Sequence, residues 1–112
     1  MTDKKTLVEM LGRNRLFDEL TKKEVSAVVD YSTEVDHAKG QVIVIEDRSG
    51  VGFHLILDGT AIVSVKGRKV RTLGPGESFG DIAVSDGGPR SASVTADTGL
   101  RTLSMPPWEF KP

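Results

Sequence analysis

The residues best suited to chemistry lie in one glycine-rich segment, residues 79–94, which reads Phe-Gly-Asp-Ile-Ala-Val-Ser-Asp-Gly-Gly-Pro-Arg-Ser-Ala-Ser-Val. Gly80 carries no Cβ, so the backbone can approach a ligand closely there. Asp81 to Val84 are enough for one helical turn, whose free amide groups would point at an anion. Arg90 follows a Gly-Gly-Pro turn, and its guanidinium can donate two parallel hydrogen bonds to phosphodiester oxygens. The spacing therefore indicates a site for a singly charged phosphate.

Other groups of residues do not point to catalysis or to a metal. His37 and His54 stand alone in the sequence, whereas a metal site of this kind would need clustered histidine and carboxylate ligands. Residues 74–76, Gly-Pro-Gly, lack the glycine spacing of a dinucleotide-binding loop and predict a turn. No nucleophile stands beside a base, so we predict that the protein is not an enzyme and has no cofactor.

The bulk composition is that of one globular domain. The chain has 112 residues, of which 38% are hydrophobic and 28% charged. A formal net charge of −1 gives no electrostatic reason for this chain to bind nucleic acid. The absence of cysteine excludes disulfides and thiolate metal sites. Without a signal peptide or an apolar run of about 18 residues, we expect a soluble cytoplasmic protein with no membrane partner.

Two short helices are predicted at the start of the chain. Leucine and methionine recur at helical spacing within residues 5–11. A capping box follows, in which the Thr21 hydroxyl and the Glu24 carboxylate would each satisfy an amide group at a helix N-terminus. We expect this second helix to span residues 22–30.

After Tyr31 the pattern changes to short segments rich in Val, Ile and Thr. The strand candidates are residues 41–45, 52–57, 61–65, 69–73, 91–95 and 100–105. Asp58 and Gly59 predict a two-residue hairpin of type I′, which needs positive φ at both positions, and residues 66–68 should turn the next hairpin. Strands this short, about 8 to 12 residues apart, predict an antiparallel barrel or jelly roll rather than a parallel sheet.

Residues 79–94 resemble the phosphate-binding cassette of cyclic-nucleotide-binding domains, as in catabolite activator proteins and protein kinase A regulatory subunits. The family pattern is Phe-Gly-Glu, an aliphatic residue, Ala, a Leu-like residue, a short loop, Pro-Arg, two small residues, any residue and Val. This chain matches it with Asp81 in place of Glu. Residues 16–24, 53–59 and 73–78 resemble the family's N-terminal helical segment, its central hairpin and the approach to the cassette. We call residues 79–94 the cassette below.

The resemblance implies a mainly β fold with flanking helices, an antiparallel β jelly-roll barrel, and a role for each site residue. Arg90 would pair with the exocyclic phosphate oxygens, and the backbone amides of Ala83 and Ala92 would complete the phosphate site. Asp81 would accept a hydrogen bond from the ribose 2′-hydroxyl, helped by Gly80. Because aspartate is one methylene shorter than glutamate, this contact needs a backbone shift or a bridging water.

The base side of the site involves three further residues. Ile82 and Val63 would line the sugar and the base. Ser91 stands where family members with Thr tend to accept cGMP and those with Ala prefer cAMP. Serine can both donate and accept hydrogen bonds, which leaves the base open, with cAMP favoured over cGMP.

We treat the chain as one cyclic-nucleotide-binding-like domain with a helical part (1–34), a β-barrel (35–105) and the start of a truncated C-terminal helix (106–112). The family continues after Trp108 into two helices, so we expect the C-terminal lid helix to be missing. The main interpretation is a regulatory sensor module that binds cAMP or, less favourably, cGMP. The alternatives are a degenerate domain that binds a partner protein, and the effector domain of a transcription regulator whose DNA-binding part is absent. A fused effector domain and the oligomeric state stay open.

Overall fold

The computed structural model describes residues 2–14, 17–44, 53–80 and 92–105. In these ranges, two helices precede eight strands; the helices are α1 (Lys4–Gly12) and α2 (Lys22–Asp30). The strands are β1 (Thr33–His37), β2 (Val42–Val44), β3 (Phe53–Asp58), β4 (Ala61–Val65), β5 (Arg68–Leu73), β6 (Ser78–Gly80), β7 (Ser93–Ala96) and β8 (Leu100–Met105). Neither described helix has the length and apolar character needed to cross a membrane.

The strands form two four-stranded antiparallel sheets, which we call sheet A and sheet B. Sheet A has the order β1-β8-β3-β6, and sheet B has the order β2-β7-β4-β5. The predicted mainly β, antiparallel architecture with N-terminal helices is therefore confirmed. Among the described strands, no ladder of hydrogen bonds joins sheet A to sheet B, so these strands do not close into a continuous barrel.

Local sequence explains both helices. At α1 the Asp3 carboxylate accepts a hydrogen bond from the Thr6 amide at 2.8 Å. At α2 the predicted capping box is present, with Thr21 Oγ1 accepting from the Glu24 amide at 3.1 Å and Glu24 Oε1 accepting from the Thr21 amide at 2.8 Å. The second helix has the predicted bounds, and the first is one residue longer at each end than predicted.

Sheet A lies between two apolar layers because side chains alternate across its strands. One face packs on the helices through Leu7, Val8, Leu11, Phe17, Val25, Val29, Phe53, Leu55, Leu103 and Met105. The other face packs on sheet B, and this inner layer contains Ile56, Ala61, Leu73, Phe79, Val94, Ala96 and Leu100. The strands in which the cassette begins and ends, β6 and β7, therefore both have side chains in the inner layer.

The chain crosses from sheet A to sheet B at Asp58 and Gly59, so the hairpin predicted there is wrong. β3 pairs with β6 and β8, whereas β4 pairs with β5 and β7. Gly59 has a φ of +89°, but Asp58 does not have the positive φ that a type I′ turn requires. The hairpin predicted at residues 66–68 is confirmed, with Lys66 at φ 51° and Gly67 at φ 78° connecting β4 to β5.

Candidate functional site

The cassette connects the two sheets. It begins in β6, which ends at Gly80 in sheet A, and it ends in β7, which begins at Ser93 in sheet B. Gly80 pairs with Phe53 of β3. Its φ of +91° lies in the left-handed region, where glycine meets no steric penalty from a Cβ. The glycine singled out from the sequence thus stands where the backbone leaves the sheet in a conformation that other residues rarely adopt.

Three predicted site residues lie among the described residues: Gly80, Val63 and Ala92, each half-buried. Val63 of β4 pairs with Val94 of β7, two residues beyond Ala92. Val63 also packs against the inner layer, which contains Phe79. The structure thereby places Val63 beside β7, the strand in which the cassette ends, and in the inner layer together with Phe79.

The remaining predicted site residues lie outside the described residues, as does the predicted start of the C-terminal helix at 106–112. These residues are Asp81, Ile82, Ala83, Arg90 and Ser91. The roles given to them by the resemblance stay predictions.

The turn before β6 is tied to β3 by main-chain hydrogen bonds. The Gly76 amide donates to the Ile56 carbonyl at 2.9 Å, and the Ile56 amide donates to the Glu77 carbonyl at 2.8 Å. The Glu77 carboxylate accepts from the Gly74 amide and from the Arg71 guanidinium, each at 2.9 Å. The predicted turn at residues 74–76 is confirmed, and its bonds set where β6, and with it the cassette, begins.

Comparison with known proteins decides the family. Residues 34–111 match the sequence model of the cyclic nucleotide-binding domain. The chain belongs to the cyclic nucleotide-binding domain family. This match confirms the resemblance seen in the sequence, and it describes a regulatory domain rather than a catalytic one.

The domain is similar to parts of larger regulators. It is 33% identical to the cAMP-dependent protein kinase regulatory subunit of Eremothecium gossypii over 94 residues, which are 84% of this chain and 20% of that protein. It is 28% identical to the CRP-like cAMP-activated global transcriptional regulator of Mycobacterium tuberculosis, covering 87% of this chain and 46% of that protein. The chain therefore spans less than half the length of these curated relatives.

A solved structure shows the same fold. The co-crystal structure of the regulatory domain of Toxoplasma gondii PKA with cAMP matches the domain with a TM-score of 0.89 and 25% identity. The match covers 98% of this chain and 45% of that chain. The likeness confirms the jelly-roll architecture predicted from the sequence.

The two histidines stand far apart in the sequence but are neighbours in the fold. Their ring centroids lie 6.3 Å apart, because β8 lies between β1 and β3 in sheet A and connects them. Nε2 of the buried His37 lies 3.0 Å from Thr102 Oγ1, which lies 2.7 Å from Ser104 Oγ. Ser104 Oγ lies 2.6 Å from Nδ1 of His54. Within the described ranges, no three His, Cys, Asp or Glu side chains group together as metal ligands.

The loop after β1 sets the direction of the hydrogen bond between His37 and Thr102. The Ala38 amide can only donate, and its partner is Gln41 Oε1 at 3.2 Å. The side-chain nitrogen of Gln41 therefore faces Nδ1 of His37 at 3.3 Å, and because this NH₂ group only donates, Nδ1 must accept. His37 then carries its proton on Nε2 and donates to Thr102. The Thr102 and Ser104 hydroxyls connect this bond to the histidine of β3.

Acid should destabilise the domain through His37. Burial lowers the pKa of His37 below its usual 6.5, although the nearby Asp36 opposes this shift. The unfolded chain therefore binds a proton more readily than the folded one, so this contribution to stability is complete above pH 6.5 and is lost as the pH falls through the lower folded-state pKa. Chemical denaturation at several pH values should show a steeper loss for the native domain than for His37→Gln. Equal slopes for the two proteins would contradict the assignment.

Proposed function

We propose that this domain binds a cyclic nucleotide, with cAMP preferred over cGMP, and acts as a regulatory sensor. The observation that carries the proposal is the cassette sequence, which matches the family pattern from Phe79 to Val94 with one conservative change. The fold supports it, because the strands at the two ends of the cassette belong to different sheets and both contribute to the inner layer.

The first two groups of proposed contacts involve the phosphate and the ribose of the ligand. Arg90 donates two hydrogen bonds to the exocyclic phosphate oxygens, and the amides of Ala83 and Ala92 bind the same group. Asp81 accepts a hydrogen bond from the ribose 2′-hydroxyl through a bridging water, since its side chain is one methylene shorter than the family's glutamate. Gly80 lets the backbone come close to the ribose.

The side of the site that faces the base of the nucleotide is proposed to consist of Ile82, Val63 and Ser91. Val63 is half-buried on β4 and packs on the inner layer, which suits contact with an apolar face of the ligand. Ser91 follows Arg90 directly, where it can donate to or accept from the base.

A sensor role requires that the ligand bind two conformations with different affinity. A cassette that connects two sheets is suited to this, because its ends belong to separate ladders of hydrogen bonds. The relatives are a kinase regulatory subunit and a transcriptional regulator, so we propose that the output passes to a partner protein or a fused effector domain.

Calorimetric titration with cAMP and with cGMP tests the proposal. A ligand of about 22 heavy atoms at roughly −0.3 kcal/mol per atom gives about −7 kcal/mol, or a Kd on the order of 10 μM. We expect heat with cAMP in this range and weaker binding of cGMP. Adenosine 5′-monophosphate, which lacks the cyclic ester, is the control and should bind more weakly than either. No heat with both cyclic nucleotides at millimolar concentration would refute the proposal.

A second candidate is a domain of the same fold that has lost its ligand and binds a partner protein. The observation that favours it is Asp81, which stands where the family pattern has glutamate. Absence of heat with both cyclic nucleotides, from a protein that melts cooperatively, is the result this candidate predicts.

A further inference from the structure

We propose that His54 is a positioning residue for the cassette: held by Ser104, its ring stacks on Phe79 and sets the direction in which the chain leaves β6 at Gly80. The inference rests on the proposed function, because positioning the cassette matters only where the cassette binds a ligand. The sequence alone indicates no role for His54.

The stack lies directly beside the start of the cassette. His54 and Phe79 are cross-strand partners in the ladder between β3 and β6. Their ring centroids are 5.0 Å apart with an interplanar angle of 25°, and Phe79 is 7% exposed. Cross-strand aromatic pairs of this kind stabilise a sheet beyond the apolar area that they bury.

β6 needs such support because it is short and lies at an edge. It has three residues, and among the described strands it pairs only with β3. Gly80 at its end has no side chain with which to hold its own position, and its backbone has a φ of +91°. Phe79 is therefore the last side chain that can orient the backbone before Asp81, and His54 is the ring on which it stacks.

The hydrogen bond to Ser104 sets the plane of the His54 ring. Ser104 Oγ lies 2.6 Å from Nδ1, and Thr102 Oγ1 lies 2.7 Å from Ser104 Oγ. Ser104 is also the cross-strand partner of His54 in the ladder between β3 and β8. The hydrogen bond between Ser104 and Nδ1 therefore holds the face of the His54 ring against Phe79 of β6.

Three variants separate the ring from the hydrogen bond. His54→Leu removes both, His54→Phe keeps a ring but loses the bond, and Ser104→Ala loses the bond alone. Ser32→Ala is the matched control, since the Ser32 hydroxyl donates to the Val28 carbonyl at 2.7 Å at the end of α2. Two measurements are made on each protein: amide hydrogen exchange of residues 78–80 without ligand, and the affinity for cAMP by calorimetry.

We expect Ser104→Ala and His54→Phe each to lower the affinity about fivefold, the effect of one lost hydrogen bond. Combining them should lower it no further, because both remove the same interaction. His54→Leu should lower it by about tenfold or more and speed exchange at residues 78–80, since the stack is lost as well. Ser32→Ala should change neither quantity, although it lowers the melting temperature.

Equal exchange rates at residues 78–80 in the native protein and in His54→Leu would overturn the inference, as would additive effects of Ser104→Ala and His54→Phe. If the native protein binds neither cyclic nucleotide, the proposed function fails. The exchange measurement, which needs no ligand, still decides in that case whether His54 orders the end of β6.

Discussion

Replacing Arg90 with lysine should weaken the binding of cAMP about 30- to 150-fold while the domain stays folded. Lysine keeps the positive charge but loses the planar fork that can donate two parallel hydrogen bonds to phosphate oxygens. A hydrogen bond to a charged group contributes about 2 to 3 kcal/mol, which corresponds to this loss in affinity. Calorimetric titration of the variant, at concentrations reaching millimolar cAMP, measures the change.

Arg101→Lys is the matched control for that experiment. Nε of Arg101 donates to Asp36 at 2.8 Å in an exposed ion pair on sheet A, away from the cassette in the sequence. Exposed ion pairs contribute little to stability, so the control should bind cAMP like the native protein. Equal affinities for Arg90→Lys and the native protein would show that the guanidinium does not bind the phosphate.

Gly59→Ala should be more destabilising than the same change at Gly40, Gly67 or Gly76, which also have positive φ but have nothing within 4 Å of an added Cβ. A Cβ at Gly59 would overlap the carbonyl oxygen of Gly99 and lie 2.9 Å from Thr98 Oγ1, at a φ of +89°. The neighbouring Thr60 bonds to the same turn, donating to Thr98 Oγ1 at 3.0 Å and to Asp97 Oδ2 at 3.3 Å. Two of the crossings between the sheets, the connection from β3 to β4 and the turn from β7 to β8, therefore contact each other.

We expect Gly59→Ala to lower the free energy of unfolding by about 3 kcal/mol or more, through backbone strain together with displacement of the adjacent turn. Gly40→Ala is the control, because Gly40 has nearly the same φ of +88° but nothing within 4 Å of an added Cβ. It should cost about 1 kcal/mol from the strained φ alone. Urea denaturation of both variants measures the difference. Equal losses would mean that the contact between the two crossings is unimportant.

Several features of this protein are local and follow from the sequence. The capping box at Thr21 and Glu24 fixes where α2 begins, because donor and acceptor lie three residues apart. The turn at Lys66 and Gly67 is equally local, since both residues belong to the loop itself. The cassette could be found for the same reason: its glycines, proline and Arg90 occur in one continuous segment, so their spacing is readable without the fold.

Other features depend on residues far apart in the chain. β1 and β6 were not predicted, because one is largely polar and the other has three residues. Each becomes a strand by pairing with a central strand of sheet A, β1 with β8 and β6 with β3. The β-propensity of a few residues does not include the free energy gained by pairing with a strand that is distant in the sequence.

Tertiary structure alone decided the role of Gly59 and of the histidines. A glycine with positive φ is compatible both with a hairpin and with a connection between two sheets. At Gly59 the contacts with the distant turn at residues 97–99 favour the connection between sheets. His37 and His54 are separated by much of the chain, yet β8 joins them because its register places Thr102 and Ser104 between their rings. The sequence by itself predicts which segment binds a phosphate. The packing of sheet A determined which side chains hold the start of that segment in place, because hydrogen bonds and stacked rings require neighbours that only the fold supplies.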